Sequence, residues 1–93
     1  MKQKIALITG IGMDSKTMAH FLLSKDYHVI LTYRRNTQQD LEQIRLLFDQ
    51  DLKDCPNSKL EFLFVDICDQ SSVRGLIESI LKKYSYLDEV FLY

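Results

Sequence analysis

The sequence has few of the residues that build disulfide-rich or metal-bound proteins. Its 93 residues include two cysteines, two histidines, one proline and no tryptophan. Cys55 and Cys68 form no Cys-x-x-Cys pair and have no histidine cluster near them, so we predict no metal site. Two reduced thiols are typical of a cytosolic protein, and we therefore expect a cytoplasmic location.

Long apolar runs and a surplus of one charge are also missing. The run from Ile5 to Ile8 is too short for a signal-peptide core, and no stretch reaches transmembrane length. The net charge is −1, with acidic and basic residues mixed along the chain. Because no basic stripe with interleaved aromatic residues exists, the sequence predicts neither nucleic-acid binding nor membrane association.

What the sequence does have is a regular alternation of apolar runs and helical periodicities. Strands are predicted for 5–8, 28–33, 60–65 and 90–93. Three helices are predicted between them, starting near Asp14, Asn36-Thr37 and Asp69. This order predicts an α/β fold, a truncated doubly wound parallel sheet of the Rossmann type, with four strands in the order 3-2-1-4 and three helices.

The periodicities also predict which side chains are buried. In the first helix Met18, Phe21 and Leu22 share one face, and the second helix carries its own apolar series, Leu41, Ile44, Leu47, Phe48 and Leu52. Right-handed crossovers would put the first two helices on one face of the sheet and the third on the other. The fourth strand would then be an apolar edge, which predicts a fragment or a subunit covered by association.

Two of the three glycines stand in Gly10-Ile11-Gly12, directly after the first strand. A glycine-rich turn from strand to helix lets backbone N–H groups approach a pyrophosphate, and the helix N-terminus adds its positive dipole. The dinucleotide pattern is Gly-x-Gly-x-x-Gly, and here Ser15 stands at its third glycine. The same turn would also serve as a tight connection without a ligand. We predict Asp14 to be the helix N-cap.

The ends of the next two strands indicate which dinucleotide would bind. An acidic residue is usual about 20 residues after the glycines for NAD. This sequence has Arg34 and Arg35 there, which suit a 2′-phosphate and favour NADP. Asp66 follows the third strand and is either a partner of the adenine amino group or a loop carboxylate, whereas Asp69 is predicted to be a helix cap.

Together these residues resemble the extended short-chain dehydrogenase/reductase family, and within it the GDP-mannose 4,6-dehydratases. The resemblance is carried by the segment from Ala6 to Gly12, by residues between Ala19 and Val29, by Arg34-Arg35, and by 65–72. It covers nearly the whole chain but only about the first third of such an enzyme. It implies NADP as cofactor in an internal redox dehydration of a nucleotide sugar.

By this resemblance, the cofactor-binding residues are those at the ends of the first three strands. The pyrophosphate would lie along Thr9, Gly10 and Gly12, the 2′-phosphate at Arg34 or Arg35, and the adenine at Asp66. The glycine loop is one residue shorter than the family's, and none of the five tyrosines is followed by Lys four residues later. We therefore expect residues 1–93 to be a single partial NAD(P)-binding domain without catalytic residues, completed by a second copy or another chain.

Two other readings of the sequence remain open. Residues 10–17 have the pattern Gly-x-x-x-x-Ser-Lys-Thr, which differs at one residue from the phosphate loop of nucleoside triphosphatases. In that case Lys16 would contact the terminal phosphates and Thr17 would hold magnesium. The third reading is a degenerate, noncatalytic α/β interaction module.

Overall fold

The computed structural model describes residues 3–10, 13–33, 41–65 and 70–91. Its centre is a four-stranded sheet in the order β3-β2-β1-β4, in which every neighbouring pair is parallel. The strands are β1 (Ile5–Ile8), β2 (His28–Tyr33), β3 (Lys59–Phe64) and β4 (Glu89–Phe91). The predicted fold class and strand order are confirmed.

Helices connect the strands in the predicted alternation. They are α1 (Met13–Leu23), α2 (Leu41–Leu46), α3 (Asp49–Asp54) and α4 (Gln70–Tyr84). None of the helices in the described ranges is long and apolar enough to cross a membrane.

β1 is one of the two inner strands of the sheet, and its position follows from its composition. All four of its side chains are buried, at 2% exposure or less. A strand with apolar side chains on both faces is stable only where both faces are covered. It pairs with β2 from Ile5 opposite His28 to Ile8 opposite Leu31, and with β4 from Ala6 opposite Glu89.

The sheet separates two apolar cores, and alternate β1 side chains point to each. Ala6 and Ile8 belong to the core that α1 and α2 cover, with contributions from Leu23 and Ile44. Ile5 and Leu7 belong to the core on the other face, where α4 supplies Leu76 and Ile80. The predicted distribution of helices over the two faces is therefore confirmed.

The predicted second helix is interrupted, so the described residues hold four helices instead of three. α2 ends at Leu46, and the N–H groups of Leu47 and Phe48 donate to carbonyls three residues back at 3.1 and 3.0 Å. This tighter turn changes the direction in which the next side chains point. Phe48 is fully buried, while Leu47 is half exposed. The prediction that Leu47 shares the buried face was wrong.

The buried face of α1 also differs from the prediction. Phe21 is 56% exposed, whereas Ser15, Ala19, Leu22 and Leu23 are buried. Two of these four buried positions carry the small residues Ser15 and Ala19, and Phe21 lies outside this buried face. The Nζ of Lys25 lies 5.7 Å from the Phe21 ring centroid, a cation–π contact on the surface.

β4 is an edge strand, as predicted. Within the described residues it pairs with β1 alone, and Val90 is half exposed. Val90 lies opposite Leu7 and so shares the sheet face that α4 covers elsewhere.

Candidate functional site

The candidate site lies at the edge of the sheet where the parallel strands end. Because β3, β2 and β1 are parallel neighbours, the segments that follow them leave the sheet on one side. Ligands of open α/β sheets bind outside the carboxyl ends of the strands, at the point where the strand order reverses. That point is here at β1, which has β2 on one side and β4 on the other.

Thr9 continues β1 by one residue and is attached to β4. The Thr9 N–H donates to the carbonyl oxygen of Phe91 at 3.0 Å, and its hydroxyl lies 3.4 Å from the same oxygen. The start of the loop is therefore part of the sheet's hydrogen-bonded framework.

Gly10 makes the turn that leaves β1. Its φ of 82° lies in the left-handed region, where a Cβ would clash with the backbone. Its N–H donates to Thr32 Oγ1 on β2 at 2.9 Å. Thr32 is only 1% exposed, so this hydrogen bond is shielded from water.

This hydrogen bond limits which backbone N–H groups of the glycine loop can bind a ligand. The Gly10 N–H is already used inside the protein, so N–H groups later in the loop would have to meet a pyrophosphate. Thr32 was not among the residues predicted for this site. One signal in the sequence is that the polar residue Thr32 directly follows the apolar series from Val29 to Leu31.

Ser15 occupies the position of the third glycine in the dinucleotide pattern. Its side chain is fully buried on the inner face of α1, in line with Ala19 and Leu22. The third glycine normally permits close packing of helix on strand. Serine is also a small residue, and the buried Ser15 fits between α1 and the sheet.

Asp14 is not the N-cap that we predicted. α1 begins at Met13, so Asp14 is inside the first turn, with an exposed side chain. A carboxylate there interacts favourably with the positive end of the helix dipole.

The geometry argues against the phosphate-loop reading. α1 already begins at Met13, which leaves two residues between Gly10 and the helix. A phosphate loop instead wraps its ligand with four residues before its Gly-Lys pair. Ser15 is buried against the sheet, and the Thr17 hydroxyl donates to the Met13 carbonyl at 3.0 Å.

Several residues predicted for the site lie outside the described residues. They are Gly12, Arg34, Arg35 and Asp66, and the predicted cap Asp69 does as well. The described elements fix only where these segments start: Tyr33 is the last residue of β2, and Val65 directly follows β3.

A separate polar cluster lies away from the glycine loop, where β2 begins and α4 ends. Glu61 Oε1 accepts a hydrogen bond from the Tyr84 hydroxyl at 2.6 Å and lies 3.1 Å from His28 Nε2. Lys83 Nζ is 3.5 Å from Glu61 Oε2. The cluster links β2, β3 and α4, and we assign it a structural role.

The electrostatics of this cluster follow from its partial burial. Burial lowers the pKa of His28 below 6.5, against the hydrogen bond and the charge of Glu61, which raise it. Burial alone would raise the pKa of Glu61, but the Tyr84 hydrogen bond and the Lys83 charge together hold it below 4.5. Both shifts favour the form with neutral His28 and ionised Glu61.

A family comparison agrees with the architecture of this site. The model of the family described as GDP-mannose 4,6 dehydratase matches residues 7–86. This chain belongs to that family. The matched range includes the second half of β1, the glycine loop, both arginines and all of α4.

Curated members of the GDP-mannose 4,6 dehydratase family give the same result. The chain is 35% identical over 80 residues to the GDP-mannose 4,6 dehydratase of Drosophila melanogaster, covering 85% of this chain and 20% of that protein. It is 32% identical over 81 residues to the Vibrio cholerae enzyme, covering 86% and 21%. It is 34% identical over 79 residues to GDP-mannose 4,6 dehydratase 2 of Arabidopsis thaliana, covering 84% and 21%. The chain thus spans about a fifth of the length of these relatives.

A solved structure supports the fold of this family member independently. A protein described as a 3-oxoacyl-reductase from Bacillus thuringiensis superposes with a TM-score of 0.70 and 21% sequence identity. The match covers 96% of this chain and 35% of that chain. This likeness supports the α/β fold with a Rossmann-type sheet.

Proposed function

We propose that this chain binds NADP(H) as the N-terminal nucleotide-binding segment of a GDP-mannose 4,6-dehydratase-like protein. Members of the family bind nicotinamide dinucleotides. The observation that carries the proposal is the turn at Gly10, a left-handed glycine after the inner strand β1 that is followed by a closely packed helix. This arrangement is typical of dinucleotide sites.

Each proposed contact has a chemical reason. Thr9, Gly10 and Gly12 would lie along the pyrophosphate, where small residues permit close approach of the backbone. Arg34 or Arg35 would hold the 2′-phosphate through its guanidinium fork, and Asp66 would accept from the adenine amino group. The parallel alignment of β1, β2 and β3 supports this set, since all these residues follow strand ends.

The cofactor would supply hydride transfer, and the protein would supply its binding and orientation. We assign no catalytic residue to this chain. Tyr27, Tyr33, Tyr84 and Tyr86 are not followed by lysine four positions later. Residues 1–93 are therefore proposed as a partial NAD(P)-binding domain.

Calorimetric titration of the folded chain with NADPH, and separately with ATP and Mg²⁺, tests the proposal. We expect NADPH to bind and ATP with Mg²⁺ to bind at least tenfold more weakly, a difference of about 1.4 kcal/mol or more. Binding of ATP with Mg²⁺ alone would restore the phosphate-loop reading. If a folded chain binds neither ligand, the proposal is wrong and the degenerate module remains.

A further inference from the structure

We propose that Thr32 is a positioning residue for the dinucleotide. Its hydroxyl fixes the orientation of the Thr9–Gly10 peptide and thereby sets the direction in which the glycine loop leaves the sheet. This inference rests on the proposed function, because the loop that Thr32 holds is the one proposed to meet the pyrophosphate.

The geometry connects the two loops proposed to bind cofactor. Thr32 Oγ1 accepts the Gly10 N–H at 2.9 Å, and Thr32 is two residues before Arg34 in the sequence. A single side chain thus joins the end of β2, which leads to the arginines, to the first glycine of the loop.

The loop is held from both sides of β1. β4 binds it through the Thr9 N–H and the Phe91 carbonyl at 3.0 Å, and β2 binds it through Thr32. The peptide between Thr9 and Gly10 is planar, so fixing its N–H also fixes the direction of its carbonyl.

The strand itself does not need this hydroxyl. Thr32 is fully buried beside apolar neighbours, where valine has the same shape and a stronger preference for burial. A buried polar group is costly unless it is paired, and this one is paired with the loop. Its role is therefore to orient the loop.

The test combines amide hydrogen exchange with NADPH titration of the full 93-residue chain. The variants are Thr32→Val, which removes the hydroxyl at equal shape, and Thr32→Ser, which keeps it. Ser58→Ala is the matched control, because Ser58 is also buried and its hydroxyl donates to the Cys55 carbonyl at 2.6 Å, away from the loop.

We expect Thr32→Val to lose exchange protection at the Gly10 N–H and to raise the Kd for NADPH about tenfold, equivalent to about 1.4 kcal/mol. Thr32→Ser should keep both the protection and the affinity. Ser58→Ala should lower stability without changing the Kd, which separates positioning from general destabilisation.

The outcomes distinguish this inference from the proposed function. If the wild type binds NADPH and Thr32→Val binds it equally well, the role of Thr32 is refuted while the proposed function stands. A Ser58→Ala variant that loses as much affinity as Thr32→Val would also refute it. If the folded wild type does not bind NADPH, the proposed function fails and the positioning role fails with it.

Discussion

Gly10 and Gly75 show how the environment of a residue decides the effect of the same substitution. Gly10 has a φ of 82°, where any Cβ is strained. Gly75 lies within α4, and a Cβ there would meet no atom within 4 Å. The two positions therefore predict opposite responses to alanine.

Gly10→Ala should lower the free energy of unfolding by about 1 kcal/mol, because alanine is forced into the left-handed region. Gly75→Ala should raise it by about 0.5–1 kcal/mol, since alanine is the better helix former. Urea denaturation of both variants measures the difference. A stabilised Gly10→Ala variant would contradict the turn described here.

Ser15 is a second position where the size of one side chain matters. Ser15→Leu should cost about 1–3 kcal/mol, because the larger side chain must be forced between α1 and the sheet. Thr17→Leu, an exposed position on the same helix, should change stability by no more than about 0.5 kcal/mol. Equal melting temperatures for the two variants would show that α1 does not pack closely at Ser15.

At the scale of single residues, the sequence predicted part of the candidate site. The turn at Gly10 was predictable because two glycines directly follow an apolar run. Thr32 was not identified, because its partner is 22 residues away and depends on the pairing of β1 with β2. The exposure of Phe21 was missed for a similar reason, since a helical pattern does not reveal how closely the helix packs.

Among the elements, the strands were easier to predict than the long second helix. β1 and β2 are short apolar runs bounded by polar residues, and parallel strands joined by helices have a restricted set of connections. The break between α2 and α3 has no such signal, because no glycine or proline occurs between Leu41 and Asp54. It depends on burying Phe48, whose ring centroid lies 4.5 Å from that of His20.

The junction of β2, β3 and α4 should make stability depend on pH. The pKa of His28 is lower in the folded state than its ordinary value of 6.5, so the unfolded chain binds more protons as the pH falls below that value. The folded pKa of Glu61 is likewise below 4.5, and its contribution is lost at still lower pH. Both effects destabilise the fold in acid.

We expect the free energy of unfolding to fall as the pH is lowered from neutrality through 6.5, and His28→Gln to flatten this dependence. Urea denaturation at a series of pH values measures both slopes. Glu61→Gln serves as a second variant, and it should remove the further loss of stability below pH 4.5. Identical pH profiles for the wild type and His28→Gln would contradict a buried neutral histidine.

At the scale of the whole molecule, the proposed site lies at the edge of the sheet where the parallel strands end. The family model spans residues 7–86, and the parallel order β3-β2-β1-β4 directs the segments after β1, β2 and β3 to that edge. The strand order was predictable from the alternation of elements. Which dinucleotide binds there is a separate question, because it depends on side chains after β2 and not on the sheet.

The most direct test of the central claim is the ratio of NADPH to NADH affinity, measured by calorimetry on the same folded sample. The account predicts that NADPH binds at least tenfold more tightly, and that changing Arg34 and Arg35 to Ala removes this preference, since each charge-assisted contact contributes about 1.5–3 kcal/mol. Arg74→Ala, on the exposed side of α4, should leave the ratio unchanged. Equal affinity for the two dinucleotides, or a preference that survives the double substitution, would contradict the account.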